Sequence, residues 1–141
     1  MAADETDAVE TSVLVVEDDF DLRDALVPIL EYEGHRVVSA ANGREALDRL
    51  QGMPPPSLIL LDLMMPVMNG EAFRAAQLRD PRLAAIPVVV VSAHPAAEEH
   101  AARMGAIACL RKPFDVDDLL AAVRRGSARL LEKRARRSEK A

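Results

Sequence analysis

Five short apolar runs constrain the fold most: "SVLVV" (12–16), "RVVSA" (36–40), "SLILL" (57–61), "IPVVVVS" (86–92) and "IACLR" (107–111). Most are rich in β-branched residues or Leu and lack polar alternation. Strands covered on both faces read this way, because neither face meets water. Between the runs lie longer segments with helical spacing. In "DLRDALVPILEYEG" (21–34), Leu22, Leu26, Ile29 and Leu30 fall on one face; Pro28 should bend this helix and Gly34 stop it. "GREALDRLQG" (43–52) gathers Ala46, Leu47 and Leu50. "EAFRAAQLRD" (71–80), "PAAEEHAARMG" (95–105) and "DVDDLLAAVRRG" (115–126) complete five predicted helices.

Five strand–helix units with short connections imply right-handed crossovers and an α/β fold, a parallel sheet with helices on both faces. In such open sheets the site lies outside the carboxyl ends of the strands, near the point where strand order reverses. This accounts for Asp62 in "SLILLDLMMP" (57–66). An ionised carboxylate inside an apolar core is unfavourable unless paired. Following a strand, Asp62 is expected at the rim and not within the core.

The other strand ends should meet it there. Glu17 and Asp18 close the first strand, with Asp19 following and Asp19 or Asp21 capping the next helix; Ser92 closes the fourth, and the fifth leads into Lys112 and Pro113. Clustered carboxylates repel unless a cation holds them, and an all-oxygen set suits a hard ion such as Mg²⁺. With a metal and Lys112 present, the rim suits a tetrahedral oxyanion to which Ser92 donates a hydrogen bond. A carboxylate placed there can attack phosphorus and form an aspartyl phosphate.

The 141 residues suffice for one ordinary domain with a real core. Only 3% are aromatic and Trp is absent, so that core must be aliphatic. A single cysteine, Cys109, rules out an internal disulfide and fits a reducing compartment. The acidic opening "MAADETDAVET" is unlike a signal peptide, and no apolar stretch is long enough to span a bilayer, so a cytoplasmic location is expected. The net charge of −5 is uneven: residues 124–141 hold eight of the eighteen Lys and Arg and only two acidic residues. The expected division is a disordered segment 1–10, a domain 11–126, and a basic tail or helix extension 127–141.

The motifs "VLVVEDD", "LLDLMMPVMNG", "VVVVSAH" and "LRKPF" resemble the receiver domain of two-component response regulators, of the stand-alone chemotaxis type. The resemblance runs from about Ser12 to Arg125. It implies a flavodoxin-like sheet of order 2-1-3-4-5, with Asp62 as phosphoacceptor from a histidine kinase or phosphotransfer protein. Glu17 and Asp18 would hold Mg²⁺ with Asp62 and the Met64 backbone carbonyl. Ser92, Lys112 and the Ala93 N–H would contact the phosphoryl group. Met65, Pro66 and Gly70 would shape the following loop, and Pro113 implies a cis Lys112-Pro113 bond. The only catalysis implied is autocatalytic phosphoryl acceptance and slow autodephosphorylation.

Two features depart from the family pattern or tune it. Cys109 stands where receivers usually carry a Tyr or Phe, so the usual aromatic switch is absent or altered. Met64 and His94 fall where this family sets the lifetime of the aspartyl phosphate, and an intermediate to long lifetime is expected. His94 has no second His nearby in the pattern, which argues against a metal role. The residues after the last helix are too few for a folded output module. The chain is then either a free-standing receiver signalling through its helix 4, strand 5, helix 5 face, or a fragment of a larger kinase or regulator. In the second case Leu130 and Leu131 would suit a coiled-coil linker. Homodimerisation and a phosphate-independent interaction module are further alternatives. Direct nucleic-acid binding lacks a recognisable reading helix and aromatic stacking residues.

Overall fold

The computed structural model describes residues 11–140, so the expectation for 1–10 lies outside the described residues. Strands β1 (Ser12–Val16), β2 (Arg36–Ala40), β3 (Leu58–Asp62), β4 (Val88–Ser92) and β5 (Ala108–Arg111) form one sheet in the order β2-β1-β3-β4-β5. Every pairing is parallel. Helices α1 (Phe20–Tyr32), α2 (Gly43–Gln51), α3 (Gly70–Arg79), α4 (Ala97–Arg103) and α5 (Val116–Lys140) cover both faces. The order reverses between β1 and β3, which places the chain after β1 beside the end of β3.

Side-chain alternation along the strands feeds two cores. Val13, Val15, Leu58, Leu60, Val89 and Val91 face α1 and α5, meeting Leu26, Leu30, Leu119 and Val123. Leu14, Val16, Ile59, Leu61, Val88 and Val90 face α2, α3 and α4, meeting Leu50, Phe73, Ala97 and Ala101. β3 and β4 are buried along their whole length, which is why their sequences show no polar alternation.

Local signals set the helix limits. Asp19 caps α1 by accepting the Leu22 N–H, and the helix runs on through Pro28. It ends where Gly34 takes φ +94°, with the His35 N–H returning to the Leu30 carbonyl and the Gly34 N–H to Glu31. Gly126, by contrast, does not end the last helix, since α5 continues to Lys140. A Cβ at Gly126 would lie 2.7 Å from Leu58 Cδ1. This glycine lets the helix approach the sheet closely and has no role as a stop signal. The side chains of Leu130 and Leu131 lie outside the described residues.

Candidate functional site

Asp62 is the last residue of β3, where the sequence alone places it just after the strand, and it is only 4% exposed. The strand holds it rigidly, with Asp62 opposite Val91 in the β3–β4 register. Its Oδ1 accepts the Met64 N–H at 3.2 Å. Glu17, just past β1, is buried as well; its N–H donates to the Ala40 carbonyl, and its own carbonyl accepts from Arg23 Nη1 at 2.6 Å. Ligand oxygens of Glu17, Asp18 and Asp62 all lie within 4.8 Å of one another. This all-oxygen set at the rim fits a hard divalent cation that keeps some of its waters.

Lys112 reaches the cluster from beyond β5, its Nζ 2.7 Å from Glu17 Oε1 and 3.6 Å from Asp62 Oδ2. The Lys112-Pro113 bond is cis. Burial pushes the Asp62 carboxyl up to about 7, and the hydrogen bond and charge of Glu17 push the same way against the weaker pull of Lys112. Burial would lower the lysine, but Glu17 and then Asp62 outweigh it, so Lys112 is held above its ordinary value. The geometry and both shifts agree: the rim carries more negative charge than one ammonium neutralises.

Gly70 sits where a Cβ would come 2.4 Å from the Asp62 carbonyl, so the start of α3 presses directly on the end of β3. Between them Val67 has φ +68° and the Pro66 carbonyl accepts the Met68 N–H at 2.7 Å, a tight γ-turn that is strained for a β-branched residue. Met64 is 62% exposed above this loop.

Ser92 ends β4, fully buried, and its carbonyl accepts the Lys112 N–H. Its Oγ accepts the His94 N–H at 3.0 Å. Ala93 lines a shallow recess with Asp19, Leu22, Lys112, Pro113 and Phe114. Cys109, half-buried on β5, packs at the edge of the core facing α4, and burial raises its thiol above the ordinary value.

A cleft of about 520 Å³ adjoins the acidic cluster, bounded by Asp18, Met64, Asn69, Glu71, His94 and His100. Its wall includes Asp18 but not Asp62. His94 does have a second histidine beside it: His100, one α4 turn along, meets it edge to face with ring centroids 5.3 Å apart. Linear spacing hid this because the β4–α4 loop folds back over the helix. Both rings are already engaged, His94 Nδ1 accepting the Ala96 N–H and His100 Nδ1 lying 3.0 Å from Glu71 Oε1.

A rim with three acidic residues at the strand-order reversal and a lysine reaching across to them can bind a cation and a phosphoryl group together. Residues 13–124 match the response regulator receiver domain. The chain belongs to that family. A Helicobacter pylori transcriptional regulatory protein, CrdR, is 34% identical over 120 residues, which cover 83% of this chain and 55% of that protein. The sporulation initiation phosphotransferase F of Bacillus subtilis is 31% identical over 116 residues, covering 80% of this receiver and 90% of that protein. Among solved structures, the Vibrio cholerae chemotaxis protein CheY4 superposes with a TM-score of 0.76 at 30% identity, over 84% of this chain and 99% of that one. The receiver spans about half to three-fifths of the length of several regulators it matches.

Sequence reasoning missed three contributors. Arg23 holds the Glu17 carbonyl, His100 faces His94, and Arg111 binds the Pro95 carbonyl and Glu98. No local motif marks them, because each acts on a segment that only folding brings near.

Proposed function

We propose that this receiver is a phosphorylation switch in which Asp62 accepts a phosphoryl group from the phosphohistidine of a kinase or phosphotransfer protein. The observation that carries this is the buried Asp62 carboxylate, held on a rigid strand end within 3.6 Å of Lys112 Nζ and beside Glu17 and Asp18. A carboxylate oxygen of Asp62 attacks phosphorus as the bond to the donor nitrogen breaks, and the donor imidazole leaves with its electron pair. Lys112, now held by Glu17, supplies positive charge to the phosphoryl oxygens, and Ser92 and the Ala93 N–H donate to them. Glu17, Asp18, Asp62 and the Met64 carbonyl would hold Mg²⁺, which when bound offsets the charge of the transferring group. The hydrolysing water is neither oriented by apolar Met64 nor freely admitted past His94, so the aspartyl phosphate should persist well beyond seconds.

The output is a changed partner-binding face on α4, β5 and α5, in the cytoplasm, with homodimerisation as one form it could take. The relatives of greater length favour a second reading for the whole protein, in which the receiver controls an attached or separate output module.

Intact-protein mass after incubation with acetyl phosphate and Mg²⁺ tests the switch directly. Acetate leaves as the Asp62 carboxylate takes the phosphoryl group, so a gain of roughly 80 Da is expected. It should be absent in Asp62→Asn and without Mg²⁺. An unmodified wild-type mass would leave a phosphate-independent interaction module as the reading.

A further inference from the structure

The loop after β4 is fastened from within and from β5. Inside it, the His94 N–H donates to Ser92 Oγ at 3.0 Å, the Ala96 N–H to His94 Nδ1 at 2.9 Å, and the Ala97 N–H to the His94 carbonyl at 3.0 Å. From β5, Arg111, which pairs with Ser92 in the parallel register, sends Nη1 to the Pro95 carbonyl at 3.1 Å and to Glu98 Oε1 at 3.2 Å. One guanidinium therefore clasps both the loop and the first turn of α4.

The start of that helix has few other ties, although its far half is held to α3 by the His100–Glu71 pair and by Arg74 on the Met104 carbonyl. α4 has seven residues, its buried residues are Ala97 and Ala101, and Ala96 makes no side-chain cap. A helix this short does not persist alone, and two alanine methyls bury little area. Cys109, two residues before Arg111 on the same face of β5, adds only a small thiol. The clasp is thus a substantial part of what fixes the loop.

The loop in turn fixes Ser92. Ser92 continues the Val88 and Val90 row that faces α2, α3 and α4, whereas Asp62 continues the Leu58 and Leu60 row that faces α1 and α5. To donate to a group on Asp62, the Ser92 hydroxyl has to turn from the row facing α4 towards the row that Asp62 continues, a rotation that its bond from the His94 N–H opposes. We infer that Arg111 is a positioning residue which, by clasping Pro95 and Glu98, keeps the Ser92 hydroxyl bonded to the loop and so sets how readily this receiver enters its phosphorylated conformation. The inference rests on the switch reading and adds the element that restrains it.

Calorimetric titration with beryllofluoride, a phosphoryl mimic, in the presence of Mg²⁺ tests it. Arg111→Ala should bind roughly three- to tenfold more tightly than wild type, the range expected for losing one surface ion pair and one hydrogen bond to a carbonyl. Arg111→Lys should fall between them, and the gain should vanish in the Ser92→Ala background. In the protein without Mg²⁺, Arg111→Ala should also speed hydrogen exchange at the His94 amide. Equal affinities, a gain that survives Ser92→Ala, or unchanged His94 exchange would overturn the clasp. If neither wild type nor variants bind beryllofluoride while His94 exchange still responds, the clasp stands and the switch reading fails.

Discussion

Asn69 caps α3 through the Ala72 N–H at 2.9 Å, while α4 starts at Ala96 with no such bond. The two helices cover the same face of the sheet and flank the same rim, yet they are anchored differently. α3 buries Phe73 completely, and its buried Gln77 donates to the Leu83 and Ile86 carbonyls while accepting from Arg74. Arg74 in turn donates to the Met104 carbonyl, so this network also ties down the far end of α4. The near end of α4 has only alanines, a histidine and one exposed arginine. The difference places rigidity at the acidic half of the rim, where a cation and a nucleophile need fixed geometry, and leaves compliance at the Ser92 half.

The largest test of that contrast is truncation on each side. Phe73→Ala should cost about 3–5 kcal/mol of unfolding free energy in urea, because the site is fully enclosed. Ala101→Gly on α4 should cost about 1 kcal/mol. Comparable losses on both helices would refute the claim that α4 is lightly held.

Asp62→Asn comes next, with the opposite sign. The folded carboxyl titrates near 7, above its ordinary value, so the folded state binds the extra proton between about pH 4 and pH 7. That favourable contribution is complete in acid and is lost as pH rises through 7. Removing the charge should therefore stabilise the receiver by roughly 2–3 kcal/mol at pH 8 and by almost nothing near pH 4. Thermal melts of both proteins across this range read the difference directly, and Mg²⁺ at pH 8 should narrow it by stabilising wild type. A gain that does not change with pH would mean that carboxylate repulsion is not its source.

Much of this was legible in the chain, and the exceptions have a common physical cause. Strand runs ending in Asp62 and Ser92 announce themselves, since burial on both faces removes polar residues until the rim is reached. Asp19 and Gly34 also act locally, and their roles follow from residue type. The close approach that Gly126 allows was not legible, because its neighbour Leu58 lies far away in sequence. Gln77, Arg111 and the His94–His100 pair bind carbonyls or rings on other elements, and no periodicity encodes such partners. Gly126→Ala sharpens the point: it should lose about 1–2 kcal/mol through overpacking against Leu58, and a smaller residue at position 58 should recover that loss.

The smallest expected effect probes the loose half itself. His94 Nδ1 accepts the Ala96 N–H at 2.9 Å, which holds the residue before α4 but, unlike the Asn69 bond to Ala72, satisfies no N–H of the helix's first turn. His94→Ala removes that acceptor and should cost about 0.5–1 kcal/mol, the usual net value of one hydrogen bond. His94→Asn keeps an acceptor of similar reach and should recover most of it. The loss is local, so hydrogen exchange in Ala97–Arg103 should quicken in His94→Ala while Gly70–Arg79 is unchanged. If both helices quicken together, the face unfolds as one unit and the two halves of the rim are not mechanically distinct. If only α4 responds, the receiver can reposition Ser92 without loosening the carboxylates of the acidic cluster.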